Sequence, residues 1–157
     1  MKINIGIKEA HLKSSITILS SLLANEMTLY IKLRKFHWNV SGQSFTELHQ
    51  LFEDQYTKLE VAIDETAERI SKLGGKTIGT MSEFSNLSVI KESPNVYPEQ
   101  KDMLHELVLD HETLIVLLRT DIETCDSKNN DAATADFLTG LMTDHETMCW
   151  KLRRYLE

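Results

Sequence analysis

The sequence predicts an all-α chain folded as a four-helix bundle. Three observations carry this. Apolar residues recur at steps of three and four along four long stretches, which lines one face of a helix in each. Only two prolines and six glycines occur in 157 residues, so long helices can run unbroken. One connection, in the middle of the chain, is about thirty residues long by this reading. Four helices with a single long crossover give the ferritin-like arrangement of a bundle. The length suits one domain spanning residues 1–157, with a core of its own.

The first pattern is Leu12, Ile16, Leu19, Leu23, Met27, Tyr30 and Leu33. It should end near Asn39–Gly42, where Asn, Ser and Gly are poor interior residues and good enders. The second should start near Ser44, with Glu47 three residues on as a capping box. Its stripe runs from Phe45 through Leu48, Phe52, Tyr56, Leu59 and Ile63 to Leu73, and Leu73-Gly74-Gly75 should stop it. The connection that follows is too long for structureless chain in a compact domain, and residues 81–90 suit a short helix within it. The third pattern starts after Pro98 and carries Leu104, Leu107, His111, Leu114 and Leu118. The fourth starts near Asp131 and carries Ala135, Leu138, Met142, His145, Cys149 and Leu152. The four-residue string Asp-His-Glu-Thr occurs at 110–113 and again at 144–147. Both of its histidines fall on apolar stripes, so they read as core histidines.

Charge and composition exclude several classes. The net charge of -7 disfavours a general nucleic-acid binder, which needs a basic surface. The start of the chain, with Lys2, Lys8 and Lys13 against Glu9, is only weakly basic. No signal-peptide pattern opens the chain, and no stretch approaches the roughly 20 apolar residues of a membrane span. Cys125 and Cys149 are not spaced as a Cys-x-x-Cys pair and read as two reduced thiols. A cytoplasmic protein is expected.

The chemistry-bearing residues lie at residues 35–75. On the second helix His49, Glu53, Thr57, Glu60, Asp64 and Glu68 fall at steps of three or four. They form a second, polar stripe about 100° around from the apolar one. His37 lies close by at the end of the first helix. Histidines and carboxylates together suit a borderline metal such as iron, with zinc and manganese as other occupants. No histidine has Glu three residues before it, so the Glu-x-x-His pairs of a site at the bundle centre are missing; Asp102-x-x-His105 comes nearest.

The spacing raises a geometric problem. His49 and Asp64 are fifteen residues apart, which is about 22 Å along one helix. Bonds to a metal are only about 2 Å long. One intact helix cannot bring both to one ion. Two copies side by side and antiparallel can, with a two-fold axis near Lys58 and Leu59 and two identical sites. His37 and His49 would then come from one subunit and Asp64 and Glu68 from its mate. The competing reading keeps these acids in salt bridges with Lys58, Arg69 or Lys72.

The stretch also resembles a known family. The pieces His37-Trp38-Asn39-Val40-x-Gly42, Phe45-x-x-Leu48-His49-x-x-Phe52-Glu53 and Asp64-x-x-Ala67-Glu68-Arg69-Ile70-x-x-Leu73-Gly74-Gly75 look like the signature of the Dps family, the mini-ferritins. The resemblance implies a homo-dodecameric hollow shell. It implies a ferroxidase that oxidises Fe(II), preferably with hydrogen peroxide, stores Fe(III) as a mineral and limits oxidative damage. It places two Fe per interfacial site, with His37, His49, Asp64 and Glu68 as the catalytic ligands and Glu53 as a further site acid. Trp38 and Trp150 match family tryptophans. Asp131 and Asp136 match the acidic iron-entry pores, with Asp126 a weaker candidate; the ordinary alternative for each is an acid at a helix start. Asp54 and Glu60 are candidates for mineral nucleation. A departure is the absence of a long lysine-rich tail, so DNA binding is expected to be weak. A DNA-protecting, structural shell is the alternative function. Thr77 stands where many members have proline.

Overall fold

The structure, a computed structural model, describes residues 3–157. Lys2 lies outside the described residues. In chain order they form α1 (Glu9–Asn39), α2 (Phe45–Lys72), α3 (Met81–Leu87), α4 (Gln100–Glu123), a π-helical turn (Thr124–Lys128) and α5 (Ala132–Arg153). Among the described residues there is no strand. The short α3 sits in the long connection, as the sequence requires. α1 packs along α2 and α4 along α5, and the two hairpins close on each other.

Helix ends explain where the site residues sit. α1 stops because Val40 turns extended (φ -62°, ψ 139°) and Gly42 takes φ +97°. α2 stops in a Schellman turn: Gly75 N–H donates to the Ile70 carbonyl at 3.0 Å and Gly74 N–H to Ser71 at 2.9 Å. Gly74 supplies the left-handed residue at φ +84°. The start of α2 corrects the sequence expectation. Ser44 is itself left-handed (φ +59°) and its hydroxyl caps nothing. An N-cap hydroxyl reaches the third amide from extended backbone, and the tight turn after Gly42 does not leave Ser44 there. A capping box does form at α3. Thr80 is extended, accepts from Glu83 N–H at 3.3 Å, and donates its own N–H to the Glu83 carboxylate at 2.9 Å.

The crossover is fastened by a buried side chain. Asn25 of α1, 2% exposed, accepts from Val89 N–H at 2.8 Å and from the Ser88 hydroxyl at 3.2 Å. A long connection thus finds partners for its backbone inside the protein. The core itself is two apolar clusters. One gathers Leu29, Leu33, Phe36, Phe52 and Leu107, and the other Leu19, Leu23, Ile70 and Leu138.

A polar knot interrupts this core. Glu26, Thr66, His111 and His145 come from the four long helices and are at most 1% exposed. Thr66 donates to Glu26 at 3.2 Å, and the two histidines share a hydrogen bond between their Nδ1 atoms at 2.9 Å. His145 Nε2 stands 3.8 Å from the second Glu26 oxygen. His111 and His145 are therefore core histidines. Their partnering is incomplete, because His111 Nε2 and Glu26 Oε1 have no hydrogen-bond partner. Burial, and then the neighbouring His145, hold the His111 pKa well below the usual 6.5. The unfolded chain takes up this proton near pH 6.5 and the folded one does not, so stability is full above that pH and falls as pH drops below it. Denaturant midpoints are expected to fall between pH 7.5 and pH 5.5, with a shallower fall in His111→Asn.

The thiols are inert. Both cysteines are buried and free, and burial pushes the Cys125 thiol up to about 11.

Candidate metal centre

The close of α1 and the start of α2 bring His37 and His49 together. Their rings stack with centroids 3.7 Å apart. Each Nδ1 meets the other residue's backbone carbonyl: His37 to His49 O at 2.8 Å and His49 to His37 O at 2.9 Å. A carbonyl only accepts, so both Nδ1 atoms carry the proton. In the neutral ring this tautomer leaves the lone pair on Nε2, the form a metal takes. The turn is held from α4, where the Gln100 amide donates to the carbonyl of Gln43.

Glu53 follows His49 by one turn and is half-buried. Burial, followed by the charge of the neighbouring Glu53, raises the Tyr56 pKa. The Tyr56 ring meets His37 edge-on, with centroids 5.3 Å apart. Arg34 lies over the Tyr56 ring at 4.4 Å and donates Nε–H to the Tyr30 hydroxyl at 2.7 Å. The sequence reading passed over Tyr56 and Arg34. Tyr56 was legible as the residue three after Glu53 and seven after His49, hence on their side of the helix.

Asp64 and Glu68 are exposed at the other end of α2. The helix runs unbroken from Phe45 to Lys72, so His49 stays about 22 Å from Asp64 and about 28 Å from Glu68. Among the described residues no group of three His, Cys, Asp or Glu side chains is arranged to hold a metal ion. Of the three bases considered as competing partners, only Lys72 engages a candidate ligand, Glu68 at 3.0 Å, and both ends are exposed. Such a pair is worth little. Lys58 pairs with Asp144 and Arg69 with Asp131.

The surface between the two half-sites is apolar in patches. Trp38 is 66% exposed, Phe45 46% and Val61 56%. Met27, Tyr30, Thr57, Val61, Asp64 and Glu68 line one open groove along α1 and α2.

The pore candidates part company. Asp131 is 1% exposed. Its carboxylate accepts from Thr134 N–H at 3.1 Å, capping α5, and pairs with Arg69 at 3.2 Å. It fills the helix-start role that stood beside the pore reading. Asp136 is exposed and shares an open depression with Glu65 and Asp144. Trp150 is half exposed, and Asp54 accepts from the Gln50 amide at 2.9 Å. Among the described residues no helix is long and apolar enough to cross a membrane.

Comparison with known proteins agrees with this architecture. The ferritin-like domain family matches residues 16–157. A low-temperature-induced protein of Nostoc sp. is 42% identical over 156 residues, covering 99% of this chain and 87% of that protein. The crystal structure of a Dps protein from Bacillus brevis superposes with a TM-score of 0.90 at 33% identity, covering 96% of this chain and 99% of that one. A Dps structure from Vibrio cholerae, described as a member of a broad superfamily of ferritin-like diiron-carboxylate proteins, has a TM-score of 0.92 at 29% identity and covers 100% of this chain and 98% of that one. The chain therefore belongs to the Dps family of ferritin-like proteins.

Proposed function

We propose that this protein is an iron-storing ferroxidase whose sites form only between paired subunits. One observation carries the reading. Two stacked histidines converge at one end of an unbroken α2 with both Nδ1 atoms engaged by backbone carbonyls, while two exposed carboxylates, Asp64 and Glu68, stand at its other end. An antiparallel two-fold pairing supplies each half-site with its complement, twice per dimer. The groove along α1 and α2 and the exposed Trp38, Phe45 and Val61 suit such a partner.

In this reading two Fe(II) ions enter each site as substrate. His37 and His49 give neutral nitrogen ligands, and Asp64, Glu68 and Glu53 balance the charge. Hydrogen peroxide accepts one electron from each ion and, with two protons, leaves as two waters. The two-electron step yields no hydroxyl radical. Fe(III) then hydrolyses and is stored as mineral inside a dodecameric shell, in the cytoplasm. Asp136, with Glu65 and Asp144 nearby, is the acid proposed to draw Fe(II) towards a pore. The shell's net charge of -7 per subunit opposes DNA binding, which makes a DNA-protecting scaffold the weaker reading.

The test is anaerobic Fe(II) with stoichiometric peroxide, followed by absorbance, on wild type and Asp64→Ala, both sized by light scattering. Fast oxidation by the assembled protein, reduced at least a hundredfold (on the order of 3 kcal/mol) in Asp64→Ala with assembly kept, is expected. An intact shell no faster than buffer would sink the reading, and a salt-sensitive DNA shift in gels would then favour the scaffold.

A further inference from the structure

We propose that the polar knot in the bundle core is an acid switch: it stays closed while His111 and His145 share at most one added proton, and it breaks when they carry two. The switch is independent of the metal centre and does not rest on the ferroxidase reading.

The observed contacts limit where protons can sit. The two rings meet Nδ1 to Nδ1 at 2.9 Å. Such a bond holds one proton, so one Nδ1 donates and the other is bare. The Glu26 carboxylate decides which. It accepts from the Thr66 hydroxyl at 3.2 Å, and its other oxygen stands 3.8 Å from His145 Nε2. A bare nitrogen there would set lone pair against lone pair, so His145 carries its proton on Nε2. Its Nδ1 is then the acceptor, and His111 donates from Nδ1. His111 Nε2 is left as a buried lone pair without a hydrogen-bond partner.

One added proton can be accommodated. On His145 it makes both ring nitrogens donors, Nε2 towards Glu26 and Nδ1 towards His111, whose own proton then sits on Nε2. A second one cannot. Two N–H groups, each on a charged ring, would face each other across 2.9 Å in a site at most 1% exposed. Among the described residues Glu26 is the charged group that faces the pair. The acids beside the histidines in sequence are turned elsewhere: Asp110 to Lys32, Glu112 to Arg153, Asp144 to Lys58 and Glu146 to Arg119. Glu26 comes from α1, Thr66 from α2, His111 from α4 and His145 from α5, so parting the rings strains the middle of all four long helices. In the unfolded chain both histidines take protons freely near pH 6.5. Acid therefore favours opening.

Burial alone would hold His111 unprotonated whatever stood beside it. The switch instead needs both rings, and that difference is measurable. Denaturant unfolding is followed from pH 7.5 to 4.5 in wild type, His111→Asn and His145→Asn. Asn places an amide where Nδ1 stood, can donate or accept there, and takes no proton. Below pH 6 the unfolding equilibrium constant of each variant should rise less steeply than that of wild type, by up to about tenfold per pH unit, the effect of one proton. His145→Asn as steep as wild type would assign the acid response to burial of His111 alone and overturn the switch. A second readout needs no variant. In assembled protein with nitrogen-15 histidine, solid-state NMR at pH 7.5 should show a coupling between two ring nitrogens across the shared bond, which picks the pair out of the six histidines. At least one ring of that pair should be neutral. No coupled pair, or two charged rings, would equally overturn the proposal.

Discussion

Mixing two inactive subunits is expected to restore iron oxidation. One subunit carries His37→Gly with His49→Gly, the other Asp64→Ala with Glu68→Ala. Alone, each gives dimers in which both sites lack half their ligands. A mixed dimer has one site missing everything and one site complete, because the intact histidines of one chain meet the intact acids of the other. Unfolded together in equal amounts and refolded, half of the dimers are mixed at random. About a quarter of the sites should then work, following from two-fold pairing. A site built within one chain predicts no recovery at all. The rate after co-refolding, compared with each variant refolded separately, decides between them. The expectation rests on the unbroken α2 and on the absence of any three-residue cluster among the described residues.

The largest expected loss of stability lies elsewhere, at Arg69. Its guanidinium reaches the buried Asp131 carboxylate at 3.2 Å and donates to the Thr134 hydroxyl at 3.0 Å. The second Asp131 oxygen has no hydrogen-bond partner. Arg69→Met would leave a buried carboxylate with only the α5 cap, at a cost of about 3 kcal/mol. Asp131→Asn keeps a capping oxygen and should cost less, about 1 kcal/mol. Asp136→Asn touches none of this and should leave the denaturation midpoint unchanged while slowing Fe(II) entry. Denaturant melts of the three variants check the order. An Arg69→Met protein as stable as Asp136→Asn would show that the buried pair contributes nothing.

Much of this fold could be read in advance because its signals are local and periodic. The four stripes, the Gly74 stop and the short helix near Met81 each follow from residues close in sequence. The residues proposed as half-sites stand out by type and spacing: His49, Asp64 and Glu68 share α2, and His37 closes α1 just before it. What escaped depends on contacts across the fold. Ser44 has the composition of a cap, and only the tight turn after Gly42 decides that it is left-handed. Asp131 looks like any acid at a helix start until Arg69, sixty-two residues earlier, is seen to meet it. Glu26 sits among apolar residues with nothing nearby in sequence to announce His145. Asn25 gives no sign that it fastens residues 88 and 89 of the crossover. In each case the partner is brought in by tertiary packing, which no window of sequence contains.

The continuity of α2 carries a consequence for how the protein can change. On the proposed function the helix is a ruler with a candidate ligand group at each end, and the proposed dimer lays two such rulers in opposite directions. Length and phase are therefore fixed together. One residue inserted near Thr57 would turn everything beyond it by about 100° and advance it about 1.5 Å. Asp64 and Glu68 would then face away from the partner's histidines, and both sites would fail at once. Substitutions along the rod can be absorbed one at a time, but its count of residues between His49 and Asp64 cannot drift.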